Sequence, residues 1–467
     1  MPSDDLNASR RRRQDPPQKK EFDRHLDRLL ENGALTFDPD LIEEMLEFYM
    51  EHDYFIEALH IVNKVLETSP GNSDFTARRG VLLNDTGQWE EALECFNSAL
   101  VFNPSDPELL INKGICLDNL GSYEEALSCF MHALDLDPGN PDVYFNLGII
   151  HEKMEAWEKA VGYFKQCLEL NPVHRDASFE LGYCYDMIGE SARSVEYYEK
   201  QLDTDPYNFN AWYNLGIAFS KQEQFESALH AFDMSLAIHD DFSPALFNKA
   251  NTLVKIGQFA ESVEVYDEYL KLEPEDHAAR QNLAGALMET GKHNRAISLL
   301  KEVLSAEPDN ADAYYALGCA HDGLERYIEA LNAFQMASRL EPANPDFIYA
   351  IADSLYNLGR VEESLPFYKR VVSVDSTNHQ AWFDLAETAF ELELNREAEK
   401  AVKMAVIQNS SDYNYRILAA QIYFSLDDNE KAWEHLRQAG RIDPIRIQSL
   451  IDQLPGLFGD DFRSRLV

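Results

Sequence analysis

The sequence predicts an all-α solenoid of about twelve 34-residue helix–turn–helix units, and three observations carry that prediction. Residues 87–104 read GQWEEALECFNSALVFNP and residues 121–138 read GSYEEALSCFMHALDLDP, nearly the same text 34 positions apart. Stepping from Gly80 by that interval meets Gly114, Gly148, Gly182, Gly216, Ala250, Ala284, Gly318, Ala352, Ala386 and Ala420, with Leu46 the exception one step back. Twelve residues beyond every anchor stands Ala or Ser, from Ala58 and Ala92 through Ser194, Ser262 and Ser364 to Ala432. A register held this long without insertion is the mark of a repeat array.

In chain order, residues 1–38 form an N-terminal flexible arm with a basic cluster, Arg10 to Arg13 followed by Lys19 and Lys20. A disordered leader, an address, a nucleic-acid contact and docking on the chain's own or a neighbour's groove are all consistent with that cluster. Residues 39–446 hold the array, with units starting at 39, 73, 107, 141, 175, 209, 243, 277, 311, 345, 379 and 413. The first unit, with Leu46 beside Glu43, Glu44 and Glu47, reads as an N-terminal cap with a wet outer face. From residue 345 onward the terminal prolines drop out twice and the pattern drifts. Residues 447–467 are expected to supply a capping helix, over IQSLIDQL, and a tail.

Within the unit 141–174 the apolar spacing is helical twice over. Tyr144, Leu147, Gly148 and His151 line one face of a first helix; Trp157, Ala160, Val161, Phe164 and Leu168 line a second. Pro141 suits a first helical turn, where its missing N–H would have no partner anyway. Pro172 ends the unit, because its ring cannot continue a helix. Small residues at the anchor and twelve positions on let the two backbones approach.

Composition narrows the function. The chain has 467 residues, 45% of them hydrophobic, which excludes a disordered protein. Its 82 acidic against 41 basic side chains give a formal charge of −41. Such an excess repels nucleic acid and anionic membrane and favours basic or amphipathic partners; the same acidity also serves solubility or a saline cytoplasm. No apolar run approaches the roughly 18–20 residues of a membrane helix. Six cysteines with no C-x-x-C pair point to a reducing compartment, so a cytoplasmic location is expected. Catalytic and metal motifs are missing, and no cofactor is expected. His151, His321 and the cysteines fall at periodic slots that other units fill with packed side chains.

The stretch AWYNLGIAFSKQEQFESALHAFDMSLAIHDD (211–241), with Trp212, Leu215, Gly216, Phe219, Ala228 and Phe232, resembles a tetratricopeptide repeat. The resemblance covers 39–446 and implies antiparallel helix pairs in a right-handed superhelix whose concave groove is lined by first helices. Similar superhelices grip substrate in protein O-linked N-acetylglucosamine transferases, but the 21 residues after residue 446 are too few for such a domain, so no enzyme is expected.

By the same resemblance, Asn112, Asn146, Asn214, Asn248 and Asn282, two residues before their anchors and interrupted by Glu180, form a ladder that grips an extended peptide backbone. An amide both donates and accepts, so it pairs with peptide groups whatever the ligand's side chains. One residue earlier the family position also faces the groove, and here it carries Ile111, Phe145, Phe179, Tyr213, Phe247, Tyr315, Tyr349 and Phe383. Asp118, Glu152, Asp186 and Asp322 lie on the same face two turns on. Aromatic rings bordered by carboxylates suit Lys- or Arg-containing ligands. The expected function is a non-enzymatic protein- or peptide-binding scaffold or adaptor. The alternative is a structural subunit of an assembly that contacts partners through its convex face or ends, and self-association stays open.

Overall fold

A computed structural model of the chain describes residue 16 and residues 18–32 and 38–447. Among the described residues, 25 helices run from Lys19–Asn32 to Asn429–Ile442, with no strand. The chain divides into two compact units, Met1–His239 and Asp240–Val467. The first holds helix Lys19–Asn32 and six helix pairs; the second holds six pairs, from Ser243–Lys255 onward. Residues 345–442, where the sequence pattern drifts, keep the same pairing.

Ten of the twelve first helices start at a side-chain cap that answers orphan N–H groups; those that follow Asp176 and Phe242 do not. Asn72 accepts from Phe75 N–H at 3.2 Å, Asp106 from Leu109 N–H at 3.2 Å and Asn208 from Ala211 N–H at 3.0 Å. Pro39, Pro107, Pro141 and Pro345 occupy the first turn. Each first helix ends on a left-handed residue, and this position also obeys the 34-residue step. Six are glycine, from Gly87 to Gly359, and six are Asp53, Glu155, Glu223, Glu325, Glu393 and Asp427, at φ 57° to 62°. The following N–H reaches back to close the helix, as Gln88 N–H does to Leu83 O at 2.8 Å.

The anchor rule has a steric cause. A Cβ on Gly148 would stand 2.5 Å from the Phe164 ring, and Gly80, Gly114, Gly182, Gly216 and Gly318 meet an aromatic ring sixteen residues on in the same way. Where the anchor is Ala284, Ala386 or Ala420, the residue sixteen on is Leu300, Val402 or Leu436; the exceptional Leu46 faces Val62. Ala250 and Ala352 instead stand sixteen residues before Tyr266 and Tyr368, so the exchange of volume holds for most pairs and not for all. The second small position is fully buried in all twelve pairs. Serine fits there because its hydroxyl donates to its own helix, as Ser194 does to Ser191 O at 2.9 Å.

Apolar clusters bridge successive pairs. Leu110 and Phe130 of one pack with Val143 and Leu147 of the next. No pair buries its core alone.

The N-terminal expectation needs correction. Within the segment read as a flexible arm, Lys19–Asn32 is helical and buries Phe22, Leu26 and Leu29 against Met45, Tyr49, Ile61 and Val62. Tyr49 donates to Asp23 at 2.9 Å. This helix, not the first pair, covers that end of the apolar stack. Arg10 to Arg13 lie outside the described residues. So do 448–467, which hold nearly all of the expected capping helix; residues 444–447 are helical, and Ile447 packs on Ala420, Leu436 and Ala439.

Candidate functional site

The first helices of neighbouring pairs are joined by side-chain rungs between residues 35 apart. In the first unit Arg78 pairs with Glu43, Asn119 donates to Asn84 at 3.0 Å, Lys153 to Asp118 at 2.7 Å, and Lys221 lies 2.9 Å from Asp186. In the second unit Tyr349 donates to Asp384 at 2.6 Å and Tyr356 to Glu391 at 3.0 Å. One repeat plus one residue is the offset at which adjacent first helices meet, so positions 35 apart share this face.

The asparagines are half-buried or exposed on it, in two states. Asn146 and Asn248 donate to their own helix, to Asp142 O at 2.8 Å and Pro244 O at 3.0 Å. Asn282 donates to Asn251 at 3.3 Å. Asn112 and Asn214 make no side-chain hydrogen bond among the described residues. Asn112 lines a cavity of about 1070 Å³ with Glu43, Glu47, Glu51, Asp74 and Arg78.

The aromatic stripe is half-buried, and most of its rings lean on the second helix of their own pair. Phe145 meets Phe164 at 5.7 Å, Phe179 meets Tyr198 at 5.9 Å, Tyr213 meets Phe232 at 6.1 Å, and Tyr315 meets Phe334 at 5.5 Å. Phe247 and Tyr349 do likewise with Tyr266 and Tyr368, whereas Phe383 stacks on Tyr415 of the next pair at 4.7 Å. These rings form the floor of the face as much as a contact surface.

The carboxylates separate by partner. Asp118 and Asp186 are answered by Lys153 and Lys221 of the following pair, which leaves them less free for a ligand cation. Glu152 forms no ion pair among the described residues, though the charge of Lys153 reaches it and it accepts from the Cys184 thiol at 4.0 Å. It meets Glu180, the residue that interrupts the asparagine row, and both carboxyls are pushed up, first by burial and for Glu180 by the charge of Glu152. In the second unit burial likewise raises Asp322, Asp353 and Glu387, and pushes Asp384 up to about 6.

The sequence reading passed over Asp353, Asp384, Tyr198, Lys153 and Lys221. The lysines stand five residues after Gly148 and Gly216, a periodic signal that the 35-residue offset makes readable.

His151 is buried and stacks on Tyr163 at 5.2 Å, and burial lowers the affinity of His151 and His321 for a proton. Burial pushes the thiols of Cys95, Cys116, Cys129, Cys167 and Cys184 up, away from the reactive thiolate. Among the described residues no cluster of His, Cys, Asp and Glu could hold a metal ion, and no helix is long and apolar enough to cross a membrane.

Family models described as tetratricopeptide repeats match residues 85–145, 141–174, 176–208, 253–318 and 315–379, together more than half of the chain. No curated protein matches the chain. Among solved structures, YrrB, described as a TPR protein with an unusual peptide-binding site, is 24% identical; the match covers 41% of this chain and 98% of YrrB, with a TM-score of 0.37. The APC/C hetero-tetramer Cut9–Hcn1 is 13% identical over 90% of this chain and 97% of that one, TM-score 0.41. A tetratricopeptide repeat protein from Parabacteroides merdae is 19% identical over 53% and 98%, TM-score 0.39. Tetratricopeptide arrays are typically non-enzymatic protein-interaction scaffolds. With the anchors, the helix pairs and the family models in agreement, this chain belongs to the tetratricopeptide repeat family.

Proposed function

We propose that this chain is a non-enzymatic scaffold that captures extended, basic segments of other proteins along its first-helix faces. The observation that carries the reading is the uncommitted amides of Asn112 and Asn214, on faces whose other polar groups are largely knitted into rungs. A half-buried amide with nothing to bond is a standing offer to a peptide backbone, and each bond made adds about 0.5–1.5 kcal/mol net. The cavity beside Asn112 has room for a peptide, and its carboxylates favour cationic side chains.

The test is to pan the full chain against a library of unstructured peptides. Enrichment of Lys- and Arg-containing sequences is expected. Asn112→Ala with Asn214→Ala should weaken capture on the order of 5- to 100-fold while helicity and melting stay unchanged. Undiminished capture by the double variant would sink the ladder.

A second reading, a structural subunit that contacts partners away from these faces, draws on Val173 and Tyr207. They are exposed at 70% and 79% in the connections between pairs. Partner binding that survives the asparagine substitutions and fails with Val173→Ser and Tyr207→Ser would favour it.

A further inference from the structure

The break in the asparagine row is itself built. Glu180 stands where Asn112, Asn146 and Asn214 stand in other pairs, and its carboxyl meets that of Glu152 on the preceding first helix. Lys153, whose charge reaches Glu152, is held by both oxygens of Asp118 at 2.7 Å, and Lys221 holds Asp186 at 2.9 Å. Neither carboxyl of the pair forms an ion pair among the described residues. Both side chains are half-buried and reachable from solvent.

An independent feature points into the same spot. Tyr198 is fully buried, yet its hydroxyl has no hydrogen-bond partner, and neither does Oδ1 of Asp186. At the equivalent ring in the second unit, the Tyr266 hydroxyl donates to Asn251, one residue after its anchor, and Tyr368 bonds Asp353 in the same way. In the pair of Tyr198 that position is Tyr183, and the orphan hydroxyl faces Asp186 and Glu180. Five of the six glycine-anchored pairs carry Phe here, so the hydroxyl is not needed for packing. Two carboxyls that bond only each other and the Cys184 thiol, with an orphan carboxylate oxygen and an orphan hydroxyl beside them, suit a flat cation with several donors. A guanidinium has five N–H groups in one plane and sheds water more readily than an ammonium.

We propose that Glu152, Glu180, the unpartnered Oδ1 of Asp186 and the Tyr198 hydroxyl form a subsite that takes one arginine side chain of the extended segment bound along the first unit. The subsite rests on the peptide-capture reading and adds to it a defined position of side-chain choice. The pair is a specificity determinant; the asparagines supply side-chain-independent grip.

The probes are three acetylated, amidated nonapeptides of Ala, Ser and Leu that differ only in a central Arg, Lys or citrulline, titrated against the full chain by fluorescence anisotropy. Citrulline keeps the shape of arginine and loses its charge. The Arg peptide should bind on the order of 10- to 100-fold tighter than the citrulline peptide, and tighter than the Lys peptide. Glu180→Asn, which restores the row, should remove most of that margin. Tyr198→Phe, the residue other pairs already use, should narrow it with helicity intact. Equal binding of Arg and citrulline peptides by the unmodified chain, or a margin untouched by Glu180→Asn, overturns the subsite while peptide capture stands. A preference for Lys overturns the guanidinium assignment. No binding of any of the three overturns the subsite and counts against peptide capture as well.

Discussion

At the scale of single residues, the determining fact is an exchange of volume between the glycine anchors and the aromatic rings sixteen positions on. Gly148 is small because Phe164 is large, with only 2.5 Å from the ring to where a Cβ would sit. Gly148→Ala should therefore cost about 1–3 kcal/mol in denaturant unfolding through overpacking. Phe164→Leu alone should also destabilise, by opening a void. Together they recreate the combination that Ala284 and Leu300 already use, so the double variant should be more stable than the two single costs predict. Strict additivity would refute the exchange. This rule was half legible in the sequence: the small anchors stood out by periodicity, but their reason lay in a partner sixteen residues on, which is smaller opposite Ala284, Ala386 and Ala420 and stays aromatic opposite Ala250 and Ala352. Leu46, an exception by itself, conforms once Val62 is set beside it.

Among the helices, the turn inside each pair carries a strain that differs from repeat to repeat. Six of these turns place Asp or Glu at positive φ, where a Cβ crowds the following carbonyl. Glu155→Gly and Glu223→Gly should each stabilise by about 0.5–1 kcal/mol, the relief of strain outweighing the larger entropy of unfolded glycine. The reverse change, Gly121→Glu, should destabilise by a similar amount; urea midpoints read both. Gly87, Gly121, Gly189, Gly257, Gly291 and Gly359 fall on the 34-residue step and were an unused signal for this turn, because acidic residues at the other six positions hid its generality. Helix Lys19–Asn32 was missed for another reason. Its apolar residues Phe22, Leu26 and Leu29 follow helical spacing, but they lie outside the repeat register and among charges that read as a basic arm. On the candidate faces the asparagine row and carboxylates were visible as periodic positions. Which of them were already bonded was not, because the answering lysines and tyrosines come from the neighbouring repeat at an offset of 35, not 34.

For the molecule as a whole, acidity is coupled to stability through the carboxyls that folding buries. Glu152 and Glu180 hold a proton more tightly in the folded chain than in the unfolded one. Their contribution is full below the ordinary carboxylate range and is lost as pH rises through their elevated values. Buried neutral His151, His321 and His435 act oppositely, and only below the ordinary imidazole value. Between about pH 6.5 and about pH 8 the carboxyl pair dominates, so the melting temperature should fall by a few degrees across that window. Glu180→Gln should flatten the slope, and a slope that persists in that variant would place its source elsewhere. The rungs between residues 35 apart have one more consequence, for how such a chain can change over generations. Copying or losing a whole repeat carries cap, turn, anchor and rung along intact, and the next block finds its usual neighbour. Gaining or losing a single codon within a helix rotates every later contact in that helix off its mark. A gene for this protein can lengthen or shorten readily, but only in complete modules.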